Sequence, residues 1–483
     1  LKFFQSDLFR NGVWGIVANV LQTIFVSAFF VILARNFSRE DFAEFLVAST
    51  IYQIIVAFSS MGLGQWFIRE YALTQDKSNL TNKFIKIQTS LGLVFYFVNI
   101  VLSFVVYPDG QTRLLCIILG SNIIFDNIIY AIKNLNIADF SQKRTFIVLS
   151  IDGFLRVVLG CVLIVFPFSV VVMSSMLIVL RFLTANLFLR MASDNSISLW
   201  DVFQTPVSWH DVKTQLLRNW QFVVIGSVTI VYWRTANVII AKVLTLHDVA
   251  NYEISFRILS ILMILPSVAS ATIYAQFIKL FNTKGIADQV RFYNMLFLIY
   301  VLYSFLSYGM IFLFSDLILP NIFGAGYADA TDVLRQMFLT MLIFPTVLLQ
   351  ANIIVAMKYE KVDMWLNITS LAVYLLGCLI GFYFQRSILV INISIFVSFL
   401  IFHVLQNVFL ISKKIVSWKE AVAFYIILAV LVYAFQSGGL TYNRYVTGVL
   451  FLIGSLSVFG YLFVRSQKSN RRISEEVLEV SIL

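Results

Sequence analysis

The chain has 483 residues, of which 60% are hydrophobic and 12% charged, against roughly 45–50% and 25% in soluble domains. That balance excludes a disordered chain, a nucleic-acid-binding domain and an ordinary soluble enzyme, and makes the bilayer the solvent for the apolar side chains. The formal net charge of +10 takes its meaning from where the basic residues fall.

A spanning helix needs about 20 mostly apolar residues at about 1.5 Å of rise each. The apolar runs are continuous and lack the alternation of a barrel strand. Fourteen spans are predicted, at 12–34, 43–67, 87–107, 112–132, 146–166, 168–189, 220–241, 252–277, 292–315, 334–357, 364–384, 388–411, 421–438 and 445–464. Little more than Pro167 separates the fifth from the sixth, which fits a tight turn. With the N-terminus inside, 24 of the 35 Lys and Arg residues fall in cytoplasmic segments and seven in outer loops. This bias puts both termini in the cytoplasm and agrees with an even number of spans. The positive charge is an orientation signal against anionic bilayer lipids, not a nucleic-acid surface.

The outer loops are short, the longest at about 316–333, and leave no room for an external domain. The expected organisation is an N-terminal six-helix lobe (1–190), a cytoplasmic linker (191–219) with a helix lying at the interface, and a second six-helix lobe (220–411). Two additional helices (412–464) and a polar tail (465–483) follow. A shift of 207 residues supports the repeat. It places Arg35 on Lys242, Phe42-Ala43 on Val249-Ala250, Phe45 on Tyr252 and Ser60 on Ser267. Spans one and seven both start inside, so the lobes form a parallel repeat, and a cleft between such lobes is a natural transport path.

Four arginines fall inside spans: Arg156, Arg181, Arg234 and Arg257. Each costs about 2.5–3.5 kcal/mol at a helix centre unless water, a carboxylate or an anion receives it. Asp152 and Arg156 are four apart and can pair on one helix face. Glu253 can do the same for Arg257. Arg181 and Arg234 have no acid within a turn on their own helices. Converging on a cleft, Arg181, Arg234 and Arg257 would form a cationic chamber suited to phosphate or diphosphate; snorkelling and inter-helix hydrogen bonds are the structural alternatives. Asn11, Asn19 and Gln22 share a face of the first span with Gly15, either toward the cleft or in close helix packing. Gly62-Leu63-Gly64 permits local unwinding of span two. Pro266 and Pro345 interrupt spans eight and ten and are candidate hinges.

The three cysteines and three histidines show no metal, redox or disulfide spacing, and no nucleotide-binding, zinc or nucleophile motif occurs. No catalytic residue, metal or cofactor is expected. The opening residues show no signal-peptide pattern. Aromatic residues near span ends, Trp66, Trp200, Trp209 and Trp418 among them, fit interface anchoring.

The stretches Leu33-Ala34-Arg35, Asp41-Phe42-Ala43 and Ser60-Met61-Gly62-Leu63-Gly64-Gln65-Trp66-Phe67-Ile68-Arg69 resemble the opening of the Wzx-type polysaccharide flippases, in the MATE-like multidrug/oligosaccharidyl-lipid/polysaccharide exporter superfamily. That opening has an LAR end to helix 1, an FG start and a GL…R close to helix 2; Ala43 stands in place of the FG glycine. Ile322-Phe323-Gly324-Ala325-Gly326-Tyr327-Ala328 with Val333-Leu334-Arg335 is similar to the family's loop before helix 10. The resemblance implies an all-α polytopic membrane protein, two six-helix lobes in a V plus two C-terminal helices, working by alternating access in the bacterial inner membrane. It implies undecaprenyl-diphosphate-linked oligosaccharide as cargo for O-antigen or capsule assembly, with the diphosphate among the arginines. It also implies H+ or Na+ coupling, for which Asp126 and Asp152 are the candidates, and a polysaccharide polymerase and chain-length machinery as partners.

The alternatives are a MATE-type multidrug or cation antiporter, a peptidoglycan lipid-intermediate flippase and, less favoured, an integral glycan polymerase or glycosyltransferase. Deep basic residues outnumber deep acids, which favours anionic cargo, and the short outer loops argue against an enzyme.

Overall fold

The computed structural model describes residues 7–107, 110–191, 197–283, 285–437 and 443–460. Every regular element among them is helical. The chain forms two compact units, Leu1–Glu253 and Ile254–Leu483.

The first unit holds α1 (Asp7–Asn36), α2 (Arg39–Ser59), α3 (Leu63–Leu73), α4 (Lys77–Val106), α5 (Gln111–Gly120), α6 (Asn122–Ala138), α7 (Gln142–Val165), α8 (Val170–Met191), α9 (Leu199–Gln204), α10 (Trp209–Val243) and the start of α11 (Leu246–Thr283). The second continues α11 and adds α12 (Ile286–Phe323), a 3-10 turn at Ala325–Tyr327, α13 (Ala330–Met341), α14 (Phe344–Ala356), α15 (Glu360–Phe384), α16 (Ile388–Ser412), α17 (Trp418–Gln436) and α18 (Arg444–Gly460).

Among the described residues, 12 helical stretches are long and apolar enough to cross a bilayer. They match twelve of the fourteen predicted spans in order, and the chain is a multi-pass membrane protein. The seventh predicted span lies inside α10, whose side chains at 218–227 are outside the described set. The fourteenth begins in α18, and its last four residues, like the tail at 465–483, lie outside it too. Span two ends earlier than predicted. Met61 (φ 48°) and Gly62 (φ 60°) adopt left-handed backbone and start a new helix, α3, at Leu63, a conformation that glycine accepts at little cost. Span ten divides into α13 and α14. Pro345 stands in the first turn of α14, where its missing N–H breaks no helical bond.

The 207-residue shift holds at the level of caps. The Ser38 hydroxyl accepts from the Asp41 N–H at 3.1 Å and donates to the Asp41 carboxylate at 2.7 Å. The Thr245 hydroxyl does the same with Asp248, at 3.2 and 2.7 Å. Each pair starts the helix after a span, satisfying first-turn donors and placing negative charge at the positive end of the helix dipole. Within the first unit, α9 is tethered to α4 by the Lys86 ammonium, which donates to the carbonyls of Phe203 and Thr205 at 2.7 and 2.8 Å.

In the second unit Pro266 lies within α11, so its missing N–H frees the carbonyl four residues earlier, on Leu262. The Tyr303 hydroxyl of α12 donates to that carbonyl at 2.5 Å, and the Tyr300 hydroxyl reaches the Pro266 carbonyl at 3.3 Å. Tyr303→Phe is expected to cost about 1 kcal/mol, measured as a lower melting temperature. The penalty should vanish in a Pro266→Ala background, where the helix restores its own bond; equal penalties in both backgrounds would show that Tyr303 does not serve the freed carbonyl. Gly324 (φ 104°) turns the chain between α12 and α13 in a region closed to side-chained residues. This explains one glycine of the Ile322–Ala328 loop.

Candidate functional site

The charged centre of the first unit is built from α2, α6, α7 and α8. Asp152 on α7 is 1% exposed and Asp126 on α6 is 7% exposed. Arg156 donates through Nε to Asp152 Oδ2 at 2.9 Å, one helical turn away. Thr184 Oγ1 on α8 donates to Asp152 Oδ1 at 2.7 Å. Arg181, one turn before Thr184, donates through Nε to Asp126, and its Nη1 lies 3.7 Å from Asp152 Oδ1. The Tyr52 hydroxyl on α2 closes the group by donating to Asp126. Arg181, without an acid on its own helix, therefore spans two carboxylates contributed by two neighbouring helices. A carboxylate in hydrocarbon needs such partners, and an arginine fork reaches two acceptors where a lysine reaches one point.

Lys133, counted among the cytoplasmic residues in the sequence reading, lies on α6 near this group. Asp126, Tyr130 and Lys133 stand at i, i+4 and i+7 on α6 and so share one stripe. The Lys133 ammonium lies within electrostatic reach of Arg181 and Asp126. The same stripe meets the start of α3, where the Gly64 N–H donates to the Tyr130 hydroxyl at 3.0 Å. A Cβ on Gly64 would stand 2.5 Å from that hydroxyl oxygen and from Asn134 Oδ1. Gly64→Ala is expected to cost about 1–3 kcal/mol through forced displacement of both side chains. An unchanged melting temperature would show that α3 packs more loosely there than the structure indicates.

The other predicted site residues distribute as follows. Arg234 on α10 donates to Glu253 Oε1 at 3.0 Å, and Asn237 donates to Glu253 Oε2 at 2.7 Å and to Thr50 at 3.0 Å. Glu253 thus receives α10 through both carboxylate oxygens. Arg257 is half-buried on α11 in the second unit. Asn19 is exposed and donates back to the Gly15 carbonyl at 3.0 Å, and Gln22 is half-buried. The Asn11 side chain lies outside the described residues. Among the described residues no group of His, Cys, Asp and Glu could hold a metal ion.

The second unit has a neutral polar centre that the sequence reading also missed. Gln350 on α14 donates to the Tyr293 hydroxyl and to Asn407 Oδ1, both at 2.9 Å. Asn407 on α16 donates to the Tyr425 hydroxyl at 2.9 Å, and Tyr425 lies 2.9 Å from His403 Nδ1. This chain ties α12, α14, α16 and α17 together where no water can compete.

No family model matches the sequence, and no curated protein does. Among solved structures the chain is similar to the lipid II flippase MurJ in an inward closed conformation, at 14% identity and a TM-score of 0.68, covering 94% of this chain and 99% of that one. It is also similar to an inward-facing multidrug resistance MATE transporter of the MOP superfamily, at 12% identity and a TM-score of 0.66, covering 86% and 98%. A third similarity is to a MOP-superfamily transporter from Pyrococcus furiosus described by the reverse polarity of its binding pocket, at 13% identity and a TM-score of 0.57, covering 84% and 96%. The chain thus has the fold shared by MATE transporters and the lipid II flippase MurJ.

Proposed function

We propose that the protein is a Wzx-type flippase, which moves undecaprenyl-diphosphate-linked oligosaccharide across the bacterial cytoplasmic membrane by alternating access, for O-antigen or capsule assembly. Its termini lie in the cytoplasm in this reading. The observation that carries it is the cluster inside the first unit, where two arginines (Arg156, Arg181) engage both deep carboxylates (Asp126, Asp152). An interior whose acids are already held by arginines favours an anionic guest over a cation. A cation exporter would instead benefit from acids free to meet its cargo, and here both carboxylates are engaged by arginine. A lipid II flippase among the proteins of like fold supports a lipid-linked cargo.

In this proposal Arg181, Arg234 and Arg257 serve the diphosphate, and Asn11, Asn19 and Gln22 serve the glycan. Pro266 and Pro345 bend between states. H+ or Na+ coupling through Asp126 or Asp152 proceeds by loosening their arginine pairs. The test is reconstitution into vesicles with fluorescent undecaprenyl-diphosphate oligosaccharide, scoring transbilayer movement. Protein-dependent movement is expected. Transport of cationic dyes alone would favour a multidrug antiporter, and preference for lipid II would favour the peptidoglycan flippase.

A further inference from the structure

Four side-chained residues among those described hold a positive φ: Met61, Phe140, Lys358 (φ 66°) and Lys414 (φ 60°). The two lysines occupy equivalent places in the second unit, Lys358 after α14 and Lys414 after α16. At the first, the Tyr359 N–H donates to the Ile354 carbonyl at 3.1 Å and the Lys358 N–H to the Val355 carbonyl at 2.9 Å. At the second, the Ile415 N–H donates to the Leu410 carbonyl and the Lys414 N–H to the Ile411 carbonyl, both at 3.0 Å. This pair of bonds is the helix ending whose left-handed residue is ordinarily glycine, because a Cβ crowds the backbone there. Both helices thus close with a less favourable residue, and with the same one.

Two general reasons for a lysine do not account for that position. A cation stabilises a helix C-terminus from anywhere in the last turn, yet the last turns of α14 and α16 carry no basic residue. Charge that orients a membrane protein is counted over a whole loop, so lysines with ordinary backbone satisfy it. Strain kept in place points to a use for these two ammoniums themselves.

The two turns form one surface. The Lys413 ammonium donates to the Tyr359 hydroxyl at 2.9 Å and lies 4.4 Å from the centre of that ring. Ile415 and Val416 pack in one core with Met357 and Val362. Lys361 and Lys419 stand in the first turns of α15 and α17. The surface therefore carries five lysines against two exposed carboxylates, Glu360 and Glu420, and a third acid, Asp363, is buried. Glu420 is engaged by its own helix cap, accepting from the Ser417 N–H at 3.4 Å. Lys358, Lys361, Lys414 and Lys419 are exposed. Among the described residues none of them has a carboxylate within ion-pair distance or donates a side-chain hydrogen bond. The exposed Trp365 and Trp418 flank the lysines, and tryptophan settles at the depth of lipid headgroups.

We propose that these two turns bind the headgroup of an anionic glycerophospholipid, with Lys358 and Lys414 on its phosphate. Charge complementarity selects the anion, and the two tryptophans set the surface at membrane depth. In the termini-inside reading the lipid belongs to the cytoplasmic leaflet. It is a resident lipid and not the cargo, so the inference stands apart from the function proposed above. One headgroup held this way joins the turn after α14 to the turn after α16.

The test uses the full chain in nanodiscs of phosphatidylcholine with rising fractions of phosphatidylglycerol, read by melting temperature. Phosphatidylglycerol should stabilise the unmodified protein, and added salt should weaken the effect. Lys358→Gly with Lys414→Gly should melt about 2–4 °C higher than the unmodified protein in phosphatidylcholine alone, because glycine relieves both turns. The same double variant should need about twenty-fold more phosphatidylglycerol for half of its gain, about fivefold for each lysine. Lys358→Gln with Lys414→Gln keeps the strained backbone and removes the charge. It should lose the lipid response without the rise in phosphatidylcholine. A glycine variant that melts lower in phosphatidylcholine would show that the lysines serve the fold, and an unchanged lipid response in both double variants would remove them from any headgroup; either result overturns the proposal. Inorganic phosphate that stabilises the protein equally in phosphatidylcholine discs would overturn the lipid as the ligand.

Discussion

Arg181→Ala is expected to destabilise the protein by about 3–5 kcal/mol, the usual consequence of removing one partner from a buried ion pair. The reason is specific. The Arg181 side chain is 16% exposed, and among the described residues it alone joins Asp126 to Asp152. Its loss leaves Asp126 with only the Tyr52 hydroxyl among the partners seen here. Arg181→Lys should recover part of the loss, because an ammonium reaches one carboxylate well but not both. Arg181→Ala combined with Asp126→Asn should be more stable than Arg181→Ala alone, since the stranded charge is gone. Melting temperatures of the three variants check the argument, and a double variant no more stable than the single one would contradict it.

The second large effect is expected in the other unit. Asn407 stands at the middle of the neutral chain from Gln350 to Tyr425 and is itself 4% exposed. Asn407→Leu keeps the volume close but leaves a donor of Gln350 and the Tyr425 hydroxyl each short of a partner. At about 1–3 kcal/mol for each buried group left unsatisfied, a loss of about 2–4 kcal/mol is expected by thermal unfolding. Gln350→Leu in the same chain should cost less when Asn407 is already replaced, because the two act through one bond. Fully additive losses would show that the network is not cooperative.

The span order, the tight turn near Pro167 and the unwinding at Gly62 were legible because each is written in local sequence: a run of apolar residues, a missing N–H, a residue free of Cβ. The partner of Arg181 was not, since Asp126 is 55 positions away and no local rule joins them. A depth argument would have found it. Counted from the outer ends of the predicted spans, Asp126, Asp152 and Arg181 all lie about 13–14 residues in, roughly 20 Å at 1.5 Å per residue. Charges at equal depth on adjacent helices pair because lipid offers them nothing else. The neutral network around Asn407 left no pattern, since single Gln, Asn, His and Tyr residues in apolar helices look alike until their helices are packed.

The most direct measurement of the central claim compares vesicle transport of one labelled oligosaccharide carried on undecaprenyl diphosphate, on undecaprenyl monophosphate and on an uncharged polyprenol. An interior whose acids are held by arginines predicts protein-dependent rates that fall in that order, with the uncharged carrier near the protein-free rate. Equal movement of all three lipids would contradict a phosphate-reading interior and leave the fold without the cargo assigned to it.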